Sequence, residues 1–537
     1  MLTPTEAKSK LSKFADRPFR QFQESAIDFI MGSQKRFKIV RARTGAGKSL
    51  ISMVCGVMAG DLTYLVQSKF LQSQIVNDFP NVASVWGRAN YQCLSNKDKN
   101  CNECLSTKQN PCPQKGSCLY ATAKQKALES PYRVLNFNYM ISEIEYAGRF
   151  SGFPFSVIDE ADALESVLSD SITLTFSERS LYRLGLQDGP GRKTATSNSG
   201  LSSWREFGET ALQRATKVHK DIQSQIDSIG DGDDELKLSK IREAKHFIQI
   251  VERCKIFLNN MDKNWIYEEV PRSGSRQAQY IFKPVWLTPE LSNRYLWRHS
   301  DSWTLVSATF LPIPILAKQL GIDTDEIDFL DVPSTFDPER SPVYMCPVAD
   351  VTAKNMDIAV PILVKAIKKI LKLHPNSRGI IHAVSWQLCQ KIMEGVNSPR
   401  LITHTSQNRQ EVINEFMKED SIYPIDSCLC SPSSERGLDL RDDLCRWVVV
   451  IKCPYPNLGD KLTSSRLYSG EIGRVWYQAL SLSVVEQMAG RAMRSSTDSA
   501  VTYILDAQVN KLYTQRPSLF SKSFQEQIAG ESIDLLK

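Results

Sequence analysis

The sequence predicts an α/β protein with two parallel-sheet domains, the first of which carries two insertions. Short apolar strands alternate with helical stretches, first at residues 37–40, 63–66, 133–136, 155–158 and 303–306, then at 379–383, 428–431 and 447–452. Such alternation favours parallel strands covered by helices on both faces. A cysteine-rich segment and a mostly helical segment, which includes a helical run at 234–258, interrupt the first series.

The composition is that of a globular protein. The chain has 537 residues, of which 42% are hydrophobic and 23% charged, which excludes a disordered, collagen-like or coiled-coil chain. No stretch approaches the roughly 18 apolar residues of a membrane span, and the first residues lack the apolar core of a signal peptide. We therefore expect a cytoplasmic protein, or a nuclear one in a eukaryote, and neither a secreted nor a membrane protein.

Cysteines and positive charge are concentrated in one segment. Residues 86–126 hold seven Lys or Arg and two Asp or Glu, although the net charge of the whole chain is only +6. Five of the 13 cysteines, in the spacing C-x7-C-x2-C-x7-C-x5-C, lie at residues 93–118. Without an export signal, clustered thiols indicate metal ligands rather than disulfides. No histidine precedes His219, so the ligands would all be sulfur, which suits either zinc or an iron–sulfur cluster.

A glycine-rich turn follows the first strand. The string RARTGAGKS at residues 41–49 stands between an apolar strand and a helical stretch, the context of a phosphate-binding loop. Lys48 would reach the β- and γ-phosphates and Ser49 would ligate Mg²⁺, although Ala42 replaces the first glycine of the usual pattern and an ordinary turn is the alternative. The predicted nucleotide-binding residues of this loop are Thr44, Gly45, Ala46, Gly47, Lys48 and Ser49.

A second motif indicates hydrolysis. The string FSVIDEAD at residues 155–162 is an apolar strand that ends in carboxylates. Asp159 would hold Mg²⁺, and Glu160 would orient and deprotonate the attacking water. A solvated helix N-terminus, where acidic side chains are favoured, is the alternative interpretation. The upstream phosphate-binding loop favours hydrolysis.

A third motif lies near the C-terminus. The string QMAGRAMR at residues 487–494 puts Arg491 and Arg494 on one helical face, with Gln487 before them. Two guanidinium groups on one face suit a phosphoryl group in transfer, whose charge they would neutralise. A solvated basic helix is the alternative.

The order of these motifs resembles that of superfamily 2 helicases, specifically the iron–sulfur XPD/DinG-like branch, which includes bacterial and phage members. The resemblance runs from Arg20 to Asp506, except for residues 165–285. The further matching strings are RQFQ at 20–23, YLVQS at 64–68 with Gln74, WGRANYQC at 86–93, CLYA at 118–121, VLN at 134–136, LVSAT at 305–309, GIIHAVS at 379–385 and SPSSERGLD at 431–439.

This resemblance implies a domain organisation. It implies two RecA-like motor domains, with an iron–sulfur insertion and an arch-like helical insertion in the first. The expected ranges are 1–90 with 123–165 and 286–311 for motor domain 1, 91–122 for the iron–sulfur domain, 166–285 for the arch and 312–537 for motor domain 2.

The resemblance also implies site residues, with three departures. Gln23 would read adenine, and Asp439 would contact the nucleotide. Asp162 stands where this branch usually has His, and Arg436 stands where it usually has Glu. Five cysteines compete for four cluster positions; we choose Cys93, Cys104, Cys112 and Cys118 and leave Cys101 as the spare.

The implied function is ATP-dependent 5′→3′ translocation on single-stranded DNA, with duplex splitting at an iron–sulfur wedge, in DNA repair or replication. ATP, Mg²⁺ and a [4Fe–4S] cluster are the expected cofactors, forked duplex DNA is the expected partner, and a monomer suffices. Residues 67–74, 334–336 and 431–434 are candidates for strand contacts. Two alternatives remain: a translocase that remodels DNA–protein complexes or RNA–DNA hybrids without processive unwinding, and a zinc-containing nucleic-acid-binding P-loop ATPase without motor activity.

Overall fold

The computed structural model describes the chain from residue 2 to residue 536, apart from residues 12, 44, 105–111, 113, 147, 188, 191–197, 230–232, 335–336, 419, 433–441, 491–497 and 530–532. The strands in this described part are β1 (Phe37–Arg41), β2 (Leu62–Val66), β3 (Ala83–Ser84), β4 (Tyr132–Asn136), β5 (Phe153–Asp159), β6 (Leu174–Ser177), β7 (Trp265–Val270), β8 (Gln279–Pro284), β9 (Ser300–Ser307), β10 (Ile327–Asp331), β11 (Val343–Ala349), β12 (Gly379–His382), β13 (Leu401–Ile402), β14 (Cys428–Ser431), β15 (Trp447–Val450) and β16 (Val501–Asp506).

Helices connect most of these strands. They are α1 (Pro4–Ser9), α2 (Gln23–Gly32), α3 (Lys48–Ala59), α4 (Lys69–Asp78), α5 (Leu119–Glu129), α6 (Phe137–Tyr146), α7 (Leu164–Ile172), α8 (Glu178–Arg183), α9 (Asn198–Ser228), α10 (Asp234–Asn260), α11 (Pro289–Tyr295), α12 (Ile313–Leu320), α13 (Met356–Leu373), α14 (Trp386–Val396), α15 (Arg409–Phe416), α16 (Lys461–Leu467), α17 (Glu471–Ala489), α18 (Ala507–Gln515) and α19 (Lys522–Gln527).

Two parallel sheets form the framework, which confirms the predicted α/β class. The first has the strand order β10-β1-β9-β5-β2-β4-β3 and the second the order β11-β16-β15-β12-β14-β13. Every strand pair in both sheets is parallel. All residues of β2, β12, β14 and β15 are buried, as expected where helices cover both faces of a sheet. The strands predicted from the sequence are all present, with ends shifted by a few residues.

The first domain extends beyond the boundary expected at residue 311. Strand β10 pairs with β1 at the edge of the first sheet, in the register Phe37↔Ile327 to Arg41↔Asp331. Leu316 and Leu320 of α12 also pack in the core of this domain. The sequence IDFLD of β10 includes two acidic residues, and none of its side chains is fully buried, as is typical of an edge strand. This weak apolar signal is the reason that the sequence analysis missed the strand.

The insertion at 166–285 is less purely helical than expected. The long helices α9 and α10 pack along each other, as predicted. An antiparallel sheet of order β6-β8-β7 lies beside them, and the sequence analysis missed it. Phe176, Tyr267 and Phe282 are buried in this sheet, and Trp204 of α9 packs against the latter two rings. The aromatic run WIYEEV at 265–270, which ends before Pro271, was the available signal.

The second domain contacts the first through Arg466 of α16. Its Nε donates to the Val285 carbonyl oxygen at 2.7 Å, and its Nη2 donates to Glu165 Oε1 at 2.5 Å. The guanidinium lies over the rings of Trp286 and Trp476, at 4.9 and 5.2 Å from their centres. Only 3% of Arg466 is exposed. Because Glu165 lies in the first turn of α7, the helix that follows residues 159–162, this contact joins that segment to the second domain.

Candidate nucleotide and nucleic-acid site

The carboxyl ends of the central strands bring the predicted motifs together. Strands β1, β9, β5 and β2 are successive neighbours in the first sheet. Because they are parallel, the segments that follow them meet at one edge, the edge where open α/β sheets bind ligands. These segments are the glycine-rich turn after β1, residues 307–309 at the end of β9, the acidic residues after β5 and residues 67–68 after β2.

The glycine-rich turn adopts backbone angles that require glycine. Gly45 and Gly47 have φ of +88° and +84°, in the left-handed region. A Cβ on Gly47 would also lie 2.2 Å from Gln23 Nε2. Helix α3 begins at Lys48 directly after this turn, so its N-terminal N–H groups and Lys48 and Ser49 lie where a phosphate would bind.

Gln23 holds this turn. Its side chain is 3% exposed; Oε1 accepts from the Arg20 N–H at 2.9 Å and Nε2 donates to the Ala46 carbonyl at 2.9 Å. Arg20 Nη1 also donates to the Gly45 carbonyl. The residues expected to read adenine therefore contact the phosphate-binding turn directly. Adenine contact by Gln23 stays a prediction.

Asp159 is buried and held by two donors. Its Oδ2 accepts from the Tyr64 hydroxyl at 2.8 Å, and its Oδ1 accepts from the Glu160 N–H at 3.0 Å. Burial and the charge of Asp159 raise the pKa of Tyr64 well above its usual value, so the phenol remains protonated. Glu160 has a φ of +55°, a conformation that costs a non-glycine residue about 1–3 kcal/mol and is concentrated at functional sites.

Asp162 contacts the motif at the end of β9. Ser307 donates from Oγ to Asp162 Oδ1 at 2.7 Å, and the Thr309 N–H donates to Ser307 Oγ at 3.4 Å. Asp162 occupies the position where the XPD/DinG-like branch usually has His. In this protein a carboxylate therefore accepts the hydrogen bond that joins the two motifs.

The same path continues into the second domain. Gln487 of α17 donates from Nε2 to Thr309 Oγ1 at 3.0 Å. A chain of hydrogen bonds thus connects Asp162, Ser307, Thr309 and Gln487 across the domain interface.

The glycine-rich turn itself also contacts the second domain. Arg43 donates from Nε to Ser523 Oγ at 3.0 Å and from Nη2 to Gln527 Oε1 at 2.7 Å. Both acceptors belong to α19. The sequence analysis did not predict this contact because the partners lie 480 and 484 residues along the chain.

Four predicted site residues lie outside the described residues: Thr44, Asp439, Arg491 and Arg494. Arg436 lies outside them as well. Of the candidate strand-contact regions, 67–74 is described in full, whereas Ser334 and residues 431–432 are the described parts of the other two.

Some residues of region 67–74 hold the fold together through hydrogen bonds, and one large apolar residue is exposed. Ser68 caps α4 by accepting from the Leu71 N–H at 3.2 Å. Gln72 is fully buried and donates to Ser84 Oγ and to the Val85 carbonyl, both at 2.9 Å. Phe70 is 78% exposed beside them. A phenyl ring in this position suits stacking against a nucleic-acid base.

The cysteine segment lies against the first domain and the arch. Arg88 lies over the Tyr120 ring at 5.2 Å from its centre. Glu103 pairs with Arg242 of α10 at 3.1 Å, and Lys99 pairs with Asp234 at 3.3 Å. The segment is therefore in contact with α10, one of the two long helices of the arch.

Two of its thiols face each other. Cys101 is 6% exposed, and its Sγ lies 3.6 Å from Cys118 Sγ. Burial and then the neighbouring Cys118 raise the pKa of the Cys101 thiol to about 11. Cys112 Sγ instead lies 3.1 Å from Ser95 Oγ. Within the described part of the chain, no three His, Cys, Asp or Glu side chains are grouped as a metal site.

Cys101, which we expected to be the spare thiol, is thus the one that contacts Cys118. Its N–H donates to the Tyr91 carbonyl at 2.7 Å, which turns the residue inwards. The 3.6 Å separation is close to the roughly 3.8 Å between two thiolates on one tetrahedral metal with bonds of about 2.3 Å. The all-sulfur donor set suits zinc or an iron–sulfur cluster. The contact between Cys101 and Cys118 suits a single ion, because each cysteine of a [4Fe–4S] cluster binds a different iron.

Comparisons with known proteins show which proteins this chain resembles. The helicase C-terminal domain family matches residues 364–527. The ATP-dependent DNA helicase YoaA of Haemophilus influenzae is 22% identical over 87% of this chain and 87% of its own length. The ATP-dependent DNA helicase XPD of Sulfolobus acidocaldarius is 22% identical over 40% of each chain. A solved XPD helicase structure matches with a TM-score of 0.59 and 15% identity, covering 96% of this chain and all of that one.

These similarities confirm the likeness to XPD/DinG-like superfamily 2 helicases. The relatives named are ATP-dependent DNA helicases, and the solved structure supports the two-domain fold. The chain spans 87% of the length of the Haemophilus helicase that it resembles. None of the described helices has the length and apolar character needed to cross a membrane.

Proposed function

We propose that the protein is an ATP-driven helicase that moves 5′→3′ along single-stranded DNA and splits forked duplexes beside its cysteine segment. The observation that carries this proposal is the hydrogen-bond path from Asp162 through Ser307 and Thr309 to Gln487. It connects the acidic motif of one domain with the helix of the other that leads towards Arg491 and Arg494. Such a path can couple the state of the nucleotide to the separation of the domains.

The chemistry follows from the residues around the glycine-rich turn. Lys48 neutralises the β- and γ-phosphates of ATP, and Glu160 accepts a proton from the attacking water. Ser49 and Asp159 would hold Mg²⁺, which prefers oxygen ligands and would neutralise the phosphate charge. Arg491 and Arg494 stabilise the transferring phosphoryl group from the second domain. Loss of the γ-phosphate then weakens the hold between the domains and allows a step along the strand.

The cysteine segment would hold a [4Fe–4S] cluster with four of its five thiols. The candidate ligands are Cys93, Cys104, Cys112 and Cys118, and Cys101 is the fifth thiol of the segment. The group would supply rigidity where the duplex parts. The net positive charge of residues 86–126 supports contacts with DNA phosphates at this segment. The ion pairs of Lys99 and Glu103 with α10 fix the position of the segment.

The first test is Lys48→Ala. Removing the charge that stabilises the transferring phosphoryl group should lower ATP turnover by about 100-fold or more, as measured by phosphate release. Binding of fluorescent single-stranded DNA should change little, because strand contacts lie on other surfaces. Lys365→Ala, an exposed lysine in α13, is the matched control and should keep both properties. Unchanged turnover in Lys48→Ala would contradict the phosphate-binding assignment.

The second test distinguishes the motor activities. Two duplex DNA substrates, one with a 5′ single-stranded tail and one with a 3′ single-stranded tail, are each incubated with the protein and ATP. Strand separation is measured by fluorescence. Unwinding of the 5′-tailed fork alone supports the proposal, and unwinding of the 3′-tailed fork alone contradicts its polarity. Displacement of a protein bound to the tail, without strand separation, would instead support a remodelling translocase.

A further inference from the structure

Tyr64 occupies a position between the two motifs that serve the nucleotide. It lies in the middle of β2, whose residues are all buried, and its own side chain is fully buried. Its hydroxyl donates to Asp159 Oδ2 at 2.8 Å. Neither the phosphate-binding turn nor the acidic motif includes this strand, so the proposed function does not yet use the residue.

The Tyr64 hydrogen bond fixes the direction of the Asp159 carboxylate. Oδ2 accepts from Tyr64, and Oδ1 accepts from the N–H of Glu160 at 3.0 Å. An ionised carboxylate has about four lone-pair sites, so two remain. With one donor on each oxygen, the carboxylate cannot rotate without losing a buried hydrogen bond, and its remaining lone pairs keep a fixed direction.

From this geometry we propose that Tyr64 is a positioning residue that holds the Asp159 carboxylate in the direction that binds Mg²⁺. The proposal deepens, and rests on, the proposed function, which makes Asp159 a Mg²⁺ ligand. Side chains that orient metal ligands typically change metal affinity by about 10- to 100-fold when they are replaced.

The test is Tyr64→Phe, which removes the hydroxyl and keeps the ring. Calorimetry measures ADP binding with and without Mg²⁺, and electron paramagnetic resonance measures Mn²⁺ binding in the presence of ADP. We expect Mn²⁺ affinity to fall by about 10- to 100-fold, while metal-free ADP binding stays unchanged. Tyr503→Phe is the matched control, since its buried hydroxyl hydrogen-bonds His374 Nε2 at 2.9 Å in the second domain.

Equal Mn²⁺ affinity in the wild type, Tyr64→Phe and Tyr503→Phe would overturn the role of Tyr64 and leave the proposed function intact. Absence of metal-dependent ADP binding in the wild type itself would overturn both. A double variant distinguishes a specific effect from a general loss of folding. The Mn²⁺ affinity of Asp159→Asn/Tyr64→Phe should differ less than threefold from that of Asp159→Asn alone, because Tyr64 acts through the carboxylate. Independent effects of the two changes would overturn the proposal.

Discussion

At the scale of single residues, the site differs from the pattern of the helicases that it resembles at the point where the motifs meet. Asp162, an acid in place of the usual His, accepts a hydrogen bond from Ser307. Thr309 hydrogen-bonds both Ser307 and Gln487, and so connects the two domains. The sequence placed all four residues in matching motifs but did not predict the hydrogen bonds between them. Tyr64 appeared in the sequence analysis only as the first residue of the matching string YLVQS. A tyrosine inside the fully buried strand LTYLV was the signal that its hydroxyl needs a partner.

Gln487→Ala should weaken the coupling between the domains. The change removes the hydrogen bond to Thr309 Oγ1. The net free-energy contribution of one hydrogen bond is about 0.5–1.5 kcal/mol. If this contribution is lost in the transition state, DNA-stimulated ATP turnover should fall by about twofold to tenfold. The measurement is phosphate release at saturating single-stranded DNA.

Gln508→Ala provides a matched control for Gln487→Ala. It removes a comparable amide hydrogen bond, from Nε2 to Asp350 Oδ1 at 2.8 Å, at another place in the second domain. Its turnover should equal that of the wild type. Equal losses in the two variants would indicate a general effect on the domain and contradict a specific role for the Gln487 contact.

At the scale of elements, apolar strands next to recognisable turns were predictable, and partly covered strands were not. The central strands of both sheets are runs of buried residues, and WVVV of β15 is the plainest case. The sequence analysis did not predict β10 or the antiparallel sheet of the arch. Strands that are only partly covered, or that pair with distant segments, carry a weak local signal. Contacts between elements that are distant in sequence cannot be predicted from a local sequence pattern. The burial of Arg466 between Trp286 and Trp476 is an example.

Arg466→Ala should destabilise the protein strongly. It leaves Glu165, a part-buried acid, without its cation, and removing one partner of a buried pair costs about 3–5 kcal/mol. Urea denaturation of the full chain measures the change in the free energy of unfolding. The double variant Arg466→Ala/Glu165→Ala should lose clearly less than the sum of the single changes.

The control for Arg466 is Arg474→Ala in α17. This arginine pairs with Glu471 at 3.1 Å, and about 60% of both side chains is exposed. Exposed pairs contribute little, so we expect a change within about 0.5 kcal/mol. A similar loss in Arg474→Ala and Arg466→Ala would contradict the importance of burial.

At the scale of the whole molecule, the sequence predicted two parallel-sheet domains and two insertions because each unit has its own local pattern. Strand–helix alternation marked the domains, and cysteine density marked the first insertion. The end of the first domain was misplaced because the last strand of its sheet follows a helix that also suits the next domain. Cysteine spacing could not decide the ligand set, since folding brings Cys101 to Cys118 across 17 positions.

Cys118→Ala should remove the metal of the cysteine segment. Elemental analysis of anaerobically purified protein should find iron in the wild type and little in this variant, because thiolates are the ligands of such clusters. Unwinding should fall more than ATP turnover without DNA. Cys346→Ala, at a buried thiol in the second sheet, should retain the iron. Wild-type protein with one zinc and no iron would contradict the cluster and favour the zinc alternative.

The grip of Arg43 on α19 has a consequence for biosynthesis. The glycine-rich turn leaves the ribosome long before α19, since their contacts span 480 and 484 positions. While α19 has not yet been synthesised, the turn of a nascent chain lacks the hydrogen bonds of Ser523 and Gln527. The contact between the turn and the second domain therefore forms only after α19 has been synthesised.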